Sequence, residues 1–366
     1  MSTNNRTGRK RDYVGVLSSV FAIVIGLLVG FVILLICNPS QALPGFVTIL
    51  TGAFTHGLKG VGQVFYYATP IILTGLSVGF AFKTGLFNIG TPGQFIVGAF
   101  AAVYVGIMWT GLGRIQWAVA LLAAILGGAL WGMVPGFLKA CFNVNEVIAS
   151  IMMNYIGMYM VNWIVKSYKP LFNNLRNESR NVAATAQIPK MGMDKLFPES
   201  SVGGGILLAI AAVLIIWVIL NKTTFGYELK AVGFNRDASR YAGINEKRNI
   251  IMSMVIAGAI AGMAGGLLYL AGTGKHIEIK DVLAPEGFTG ISVALLGLSH
   301  PIGVLFSGLF IAYLTAGGFY LQLFEFSTEI IDIIVAVIIY FSAFALIVKT
   351  ILTRMNRKRE KGGGRT

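Results

Sequence analysis

The chain has 366 residues, 55% of them apolar and only 12% charged, with a formal net charge of +14. A soluble domain carries about 45–50% apolar and about 25% charged residues, so half the usual water-facing charge is missing, and the apolar residues gather in blocks near the ~20 that cross a bilayer as helix. A soluble enzyme is excluded, and 46 glycines, well above the usual ~7%, point to membrane helices that pack closely or break.

From the N-terminus, Arg6, Arg9, Lys10 and Arg11 make residues 1–12 a basic tail. The apolar run Tyr13–Cys37 is 25 residues long, against about 7–15 for the core of a signal peptide. It is read as a retained first span, and Leu34-Leu35-Ile36 ahead of Cys37 lacks the small residue of a lipidation site. Phe46 to Leu58 is too short to cross and is expected as an interfacial helix. Further blocks at 64–83, 86–108, 117–141, 145–165, 203–221, 249–272, 283–297, 302–320 and 328–350 bring the spans to ten, the one at 283–297 being short. The expected fold is therefore all-α: a polytopic membrane bundle of about ten helices over 13–350, with two pseudo-repeated halves and discontinuous helices, then a basic tail at 351–366.

Lysine and arginine placement orients the bundle. With both termini cytoplasmic, 19 of the 29 basic residues fall on inner segments, and the net charge is +13 inside against +1 outside. The outer loop 166–202 runs against this trend with Lys166, Lys169, Arg176, Arg180, Lys190 and Lys195. The basicity is thus a topology signature, and the C-terminal run Arg354 to Arg359 suits anionic lipid rather than nucleic acid.

Two stretches interrupt the apolar pattern. In Gly85–Gln94, Asn88 and Gln94 sit beside Gly90, Pro92 and Gly93; in Leu283–Gly290, Pro285, Glu286, Gly287 and Phe288 open the short span. Irregular backbone at membrane depth is tolerated only when buried or around a pathway, so Asn88, Gly90, Gly93, Gln94, Asn154, Glu286, Gly287 and Phe288 are taken as substrate-pathway residues. The alternative is a pair of tight surface turns. Gly128, Gly132 and Gly136 in one span, and Gly258, Gly262 and Gly266 in another, are successive GxxxG units for close helix packing, within this chain or with another.

The inner loop 222–248 is mixed in charge. Asn235 or Asp237 can cap a short helix over Ala238 to Ala242 that Gly243 ends, a handle lying under the bundle. Cys37 and Cys141 lie at the ends of apolar blocks, and His56, His276 and His300 are scattered, so neither metal sites nor hydrolase chemistry is expected. Gly52 followed by Gly57-Leu58-Lys59 does not make a phosphate-binding GxxxxGK[ST] loop.

That inner loop resembles the coupling loop of permease subunits of ATP-binding-cassette importers of the branched-chain amino acid, ribose and nucleoside superfamily, a pattern near FGxxxxAxGxNxxAAxxxGI. Phe225, Gly226, Ala231, Gly233, Asn235, Ala238, Gly243 and Ile244 fit it, with Ser239 replacing the second alanine. Gly85, Leu86, Asn88, Ile89, Gly90, Gly93 and Gln94 match the same family's GLxNIGxxGQ signature. Asn145-Glu146-Val147-Ile148, followed by Asn154-Tyr155 and the long outer loop, resembles the simple-sugar and nucleoside branch.

The resemblance implies a half-pore in a bacterial cell membrane that binds no cofactor of its own and is not an enzyme. Its implied partners are a second permease, a cytoplasmic ATPase that uses ATP and magnesium, and an extracytoplasmic substrate-binding lipoprotein. Closure of the ATPase would then press on Gly233, Asn235, Ala238, Ser239, Tyr241, Ala242, Gly243 and Ile244. Nucleosides are the expected solute, ahead of ribose or other simple sugars and branched-chain amino acids. An ion-coupled secondary transporter is the competing class, but mid-span charges for a proton relay are almost lacking.

Overall fold

A computed structural model describes residues 4–55 and 57–327 and, beyond them, residues 329, 330, 332–334, 336, 337, 340 and 341. The expected tenth span and the basic tail at 351–366 lie largely or wholly outside the described residues. Contacts divide the chain into two compact units, Ala53–Tyr313 and a second made of Met1–Gly52 with Leu314–Thr366.

Helix α1 (Asn4–Cys37) runs through the basic residues into the first apolar block, so the tail is helical from Asn4 onward. Helix α2 (Ala42–Thr55) covers the stretch expected as an interfacial helix but is displaced toward the N-terminus. Gly57, at φ 57°, breaks the chain there, and Leu58 already belongs to the next helix. In the second unit Phe31 and Phe46 pair at 5.1 Å, and Leu34, Ile49, Leu321, Phe326 and Ile334 are buried.

The first unit holds α3 (Leu58–Lys83), α4 (Thr91–Met108), α5 (Gln116–Phe142) and α6 (Glu146–Ser167). An outer loop follows, with the two-residue strands β1 (Phe172–Asn173) and β2 (Glu178–Ser179) and the single turn α7 (Met193–Leu196). Then come α8 (Gly205–Lys222), α9 (Thr224–Phe234), α10 (Arg236–Tyr241), α11 (Glu246–Tyr269), α12 (Pro285–Leu296) and α13 (Pro301–Phe319), the last running on into the other unit. Among the described residues, seven helical stretches are long and apolar enough to cross a membrane. Helix α12 is not one of them: its 12 residues reach about 18 Å at ~1.5 Å per residue.

Where α5 crosses α11, the two glycine stripes face each other inside one chain. A Cβ on Gly128 would lie 2.2 Å from the Gly258 carbonyl oxygen, and one on Gly262 would lie 2.2 Å from that of Ala124. Only glycine lets these backbones meet, and the approach gains dispersion contact that lipid cannot match. Outside this crossing, Leu122, Leu126 and Leu130 on α5 and Met152, Ile156, Tyr159 and Trp163 on α6 form exposed apolar rows at helical spacing, as a lipid-facing surface requires.

The outer loop is tied down. Ser179 N donates to the Ile277 carbonyl at 2.9 Å and Ile279 N to that of Asn177 at 3.1 Å, so the hairpin is sewn to the segment between α11 and α12.

Candidate functional site

The first interruption is a buried break between α3 and α4, not a surface turn: Thr84, Leu86, Asn88 and Gly90 are all buried. The chain doubles back along α3, bringing Asn88 to within 3.2 Å of the Ser77 hydroxyl. Asn88 and Gln94 exchange two amide hydrogen bonds, Nδ2 to Oε1 at 2.8 Å and Nε2 to Oδ1 at 3.0 Å. The Asn88 oxygen also accepts from Gly90 N, and the Ser77 hydroxyl donates to the Ala257 carbonyl on α11 at 2.7 Å.

From α6, Asn154 accepts from Gly93 N at 2.9 Å and donates to the Ile89 carbonyl at 3.0 Å. The first N–H groups of a helix have no partner within it, and at membrane depth no water replaces one. The three buried amides therefore close the hydrogen bonding of the break, joining α3, α4, α6 and α11 around it. Asn88, Gln94 and Asn154, three of the residues expected along the substrate pathway, thus have hydrogen-bond partners within the protein. Beside Gly90, the buried Ser150 hydroxyl has no partner among the described residues.

The second interruption meets the first. Pro92 and Pro285 each stand in the opening turn of their helices, where the missing N–H costs nothing. A Cβ on Gly287 would lie 2.5 Å from Pro92 N, so the starts of α4 and α12 touch backbone to backbone. Gly290 and Val293 continue along Thr74 and Gly75 of α3. Phe288, next to Gly287, is 43% exposed.

Beside the junction lies a cavity of about 230 Å³ lined by Ile96, Met158, Tyr269 and Glu286 among others. Lys275 and Glu286 form a 3.0 Å ion pair in its lining. Sequence reading missed Tyr269, at the end of α11, and Lys275, in the segment between α11 and α12.

Between α8 and α11, Asn235 caps α10, its side-chain oxygen accepting from Ala238 N at 3.0 Å. Gly243 ends the helix at φ 81°, a left-handed position that side chains avoid, while Ile244 N returns to the Ser239 carbonyl at 3.0 Å. Ser239 is buried, its hydroxyl donating to the Asn235 carbonyl. Arg236 bridges to Glu246 at 2.7 Å, pinning the start of α10 to the start of α11. Tyr241 is 95% exposed and Phe234, which sequence reading did not single out, is 94% exposed.

The two sequence motifs touch each other. Gly85, at φ 77°, packs on Gly233: a Cβ on the first would lie 2.4 Å from the Cα of the second. The inner loop thus bears directly on the start of the buried break.

Compared with known proteins, residues 60–343 match the family described as branched-chain amino acid transport system / permease component. The chain belongs to this family of transport permeases, and its apolar helices make it a multi-pass membrane protein. It is 38% identical over 340 residues to the guanosine ABC transporter permease protein NupP of Bacillus subtilis (strain 168), covering 93% of this chain and 96% of that one. It is 34% identical over 357 residues to the nucleoside ABC transporter permease protein NupB of Lactococcus lactis subsp. cremoris (strain MG1363), covering 96% and 95%. The glucose ABC transporter permease protein TsgB13 of Haloferax volcanii is 32% identical over 305 residues, covering 81% and 78%. No solved structure matches the chain.

Proposed function

We propose that this chain forms half of the translocation pore of an ATP-driven importer of nucleosides in a bacterial cell membrane, with both termini cytoplasmic. A second permease completes the pore, a separate cytoplasmic ATPase hydrolyses ATP with magnesium, and an extracytoplasmic binding lipoprotein delivers the solute. The observation that carries the mechanism is the Gly85–Gly233 contact. An ATPase pushing on the exposed face of α9 and α10, at Phe234 and Tyr241, moves a segment that is in backbone contact with the buried break. The break in turn holds the start of α4 against α12. Displacing the inner loop is thereby coupled to opening or closing the junction between Pro92 and Gly287, a rocking of packed elements rather than a local rearrangement.

Nucleosides are favoured over sugars because the relatives at 38% and 34% identity, each matched over more than nine-tenths of both chains, are named as guanosine and nucleoside permeases. A simple sugar is the second reading, supported by the glucose permease. The test is uptake of radiolabelled adenosine and uridine by cells with and without the gene, competed with unlabelled nucleosides, ribose, glucose and leucine. Loss of uptake on deletion, with competition by nucleosides alone, is expected. Unchanged nucleoside uptake would move the solute to sugars or amino acids.

A further inference from the structure

The cavity beside the junction is divided in chemistry. Ile96 on α4 and Met158 and Asn162 on α6 line it, the first two apolar; the segment leading into α12 adds His276 and the charged Lys275, Lys280, Glu278 and Glu286, two of each sign. Each lysine is paired with a carboxylate, Lys275 with Glu286 at 3.0 Å and Lys280 with Glu278 at 2.9 Å, so the lining there is polar without net charge. Such a lining suits a neutral solute with one apolar face and one hydroxyl-rich face, and gives no preference to an ion. Each carboxylate retains a second oxygen as acceptor, held in place by its lysine. Tyr269 lines it from the end of α11, and its hydroxyl has no hydrogen-bond partner among the described residues. The cavity stands next to the junction of the two breaks: Ile96 is one turn beyond Pro92, and Glu286 adjoins Gly287.

We propose that this cavity is a ribose-recognition subsite of the permease, in which Glu286 accepts hydrogen bonds from the vicinal hydroxyls of a ribonucleoside. Tyr269 completes the polar side and the base lies along Ile96 and Met158. The assignment rests on the importer reading above and adds to it a selectivity within the permease itself. Solute resting there is held at the closed junction until the inner loop moves.

The test uses the complete transporter expressed in cells lacking other nucleoside uptake, with tritiated adenosine and 2′-deoxyadenosine as probes. Glu286→Gln and Tyr269→Phe keep the shape of the site and change its hydrogen bonding. Loss of a hydrogen bond involving a charged group should lower kcat/KM for adenosine about tenfold in Glu286→Gln, and about threefold in Tyr269→Phe. Uptake of 2′-deoxyadenosine should fall less in both variants, so the ribo-to-deoxy ratio shrinks. The binding protein is the same throughout, and its own preference cancels in the comparison of variant with parent. Equal losses for both probes, as a purely structural ion pair would give, or no loss for either, would overturn the subsite while leaving the importer standing. Absence of adenosine uptake by the parent transporter would overturn the nucleoside reading and the subsite with it.

Discussion

Burying an amide where water cannot follow costs several kcal/mol unless its donors and acceptors are met. Asn88 meets that demand through Gln94, Ser77 and Gly90 N. Removing one partner leaves the other buried and unpaired, at about 1–3 kcal/mol per group, whereas replacing both by apolar groups is far less costly. Asn88→Leu and Gln94→Met should therefore each lower the thermal unfolding midpoint of the detergent-purified protein, and the double variant should lose clearly less than the sum of the two. Strictly additive losses would show that the amides do not act as a pair. Asn88 and Gln94 stood out in the sequence as polar residues between apolar blocks, but their mutual pairing did not, nor did Ser77. A lone serine inside a span has no pattern around it, and its role follows only from the chain folding back along α3.

At the scale of elements, α10 was legible because capping is local chemistry. Asn235 and Gly243 bracket it through atoms a few residues away, and the helix lies where their spacing puts it, one or two residues off at either end. Gly243 holds φ 81°, a conformation costing a β-branched residue about 1–2 kcal/mol or more, enough to distort a six-residue helix without unfolding the bundle. Gly243→Val should insert and assemble normally yet lose most uptake while ATP hydrolysis continues, measured together in proteoliposomes; unimpaired uptake would count against α10 as the lever. The span 283–297 was recognised as short, but that it forms a half-helix abutting α4 depends on Gly287 meeting Pro92, a contact between residues nearly two hundred positions apart. The stretch expected at 46–58 was misplaced because its boundary is set by Gly57, not by the run of hydrophobicity.

For the whole molecule, the excess of basic residues on one side predicts that Tyr241 and the outer hairpin face opposite compartments. Leu175 is 95% exposed between β1 and β2, so in a background without Cys37 and Cys141, Leu175→Cys should react with an impermeant thiol reagent in intact cells. Tyr241→Cys should react only after the membrane is opened; labelling of both from outside would overturn the assigned orientation. The class of a multi-pass helical membrane protein is determined by the sequence alone, since a bilayer acts on each segment separately through its length and apolarity, and the motifs at 85–94 and 225–244 are local as well. Only the tertiary structure decided that those two motifs meet at Gly85 and Gly233, that the glycine stripes of α5 and α11 face each other within one chain, and that the amides read as pathway residues seal a buried break. Each of these is a close approach between distant segments: a glycine period marks a packing face, but nothing along the chain names the segment it meets.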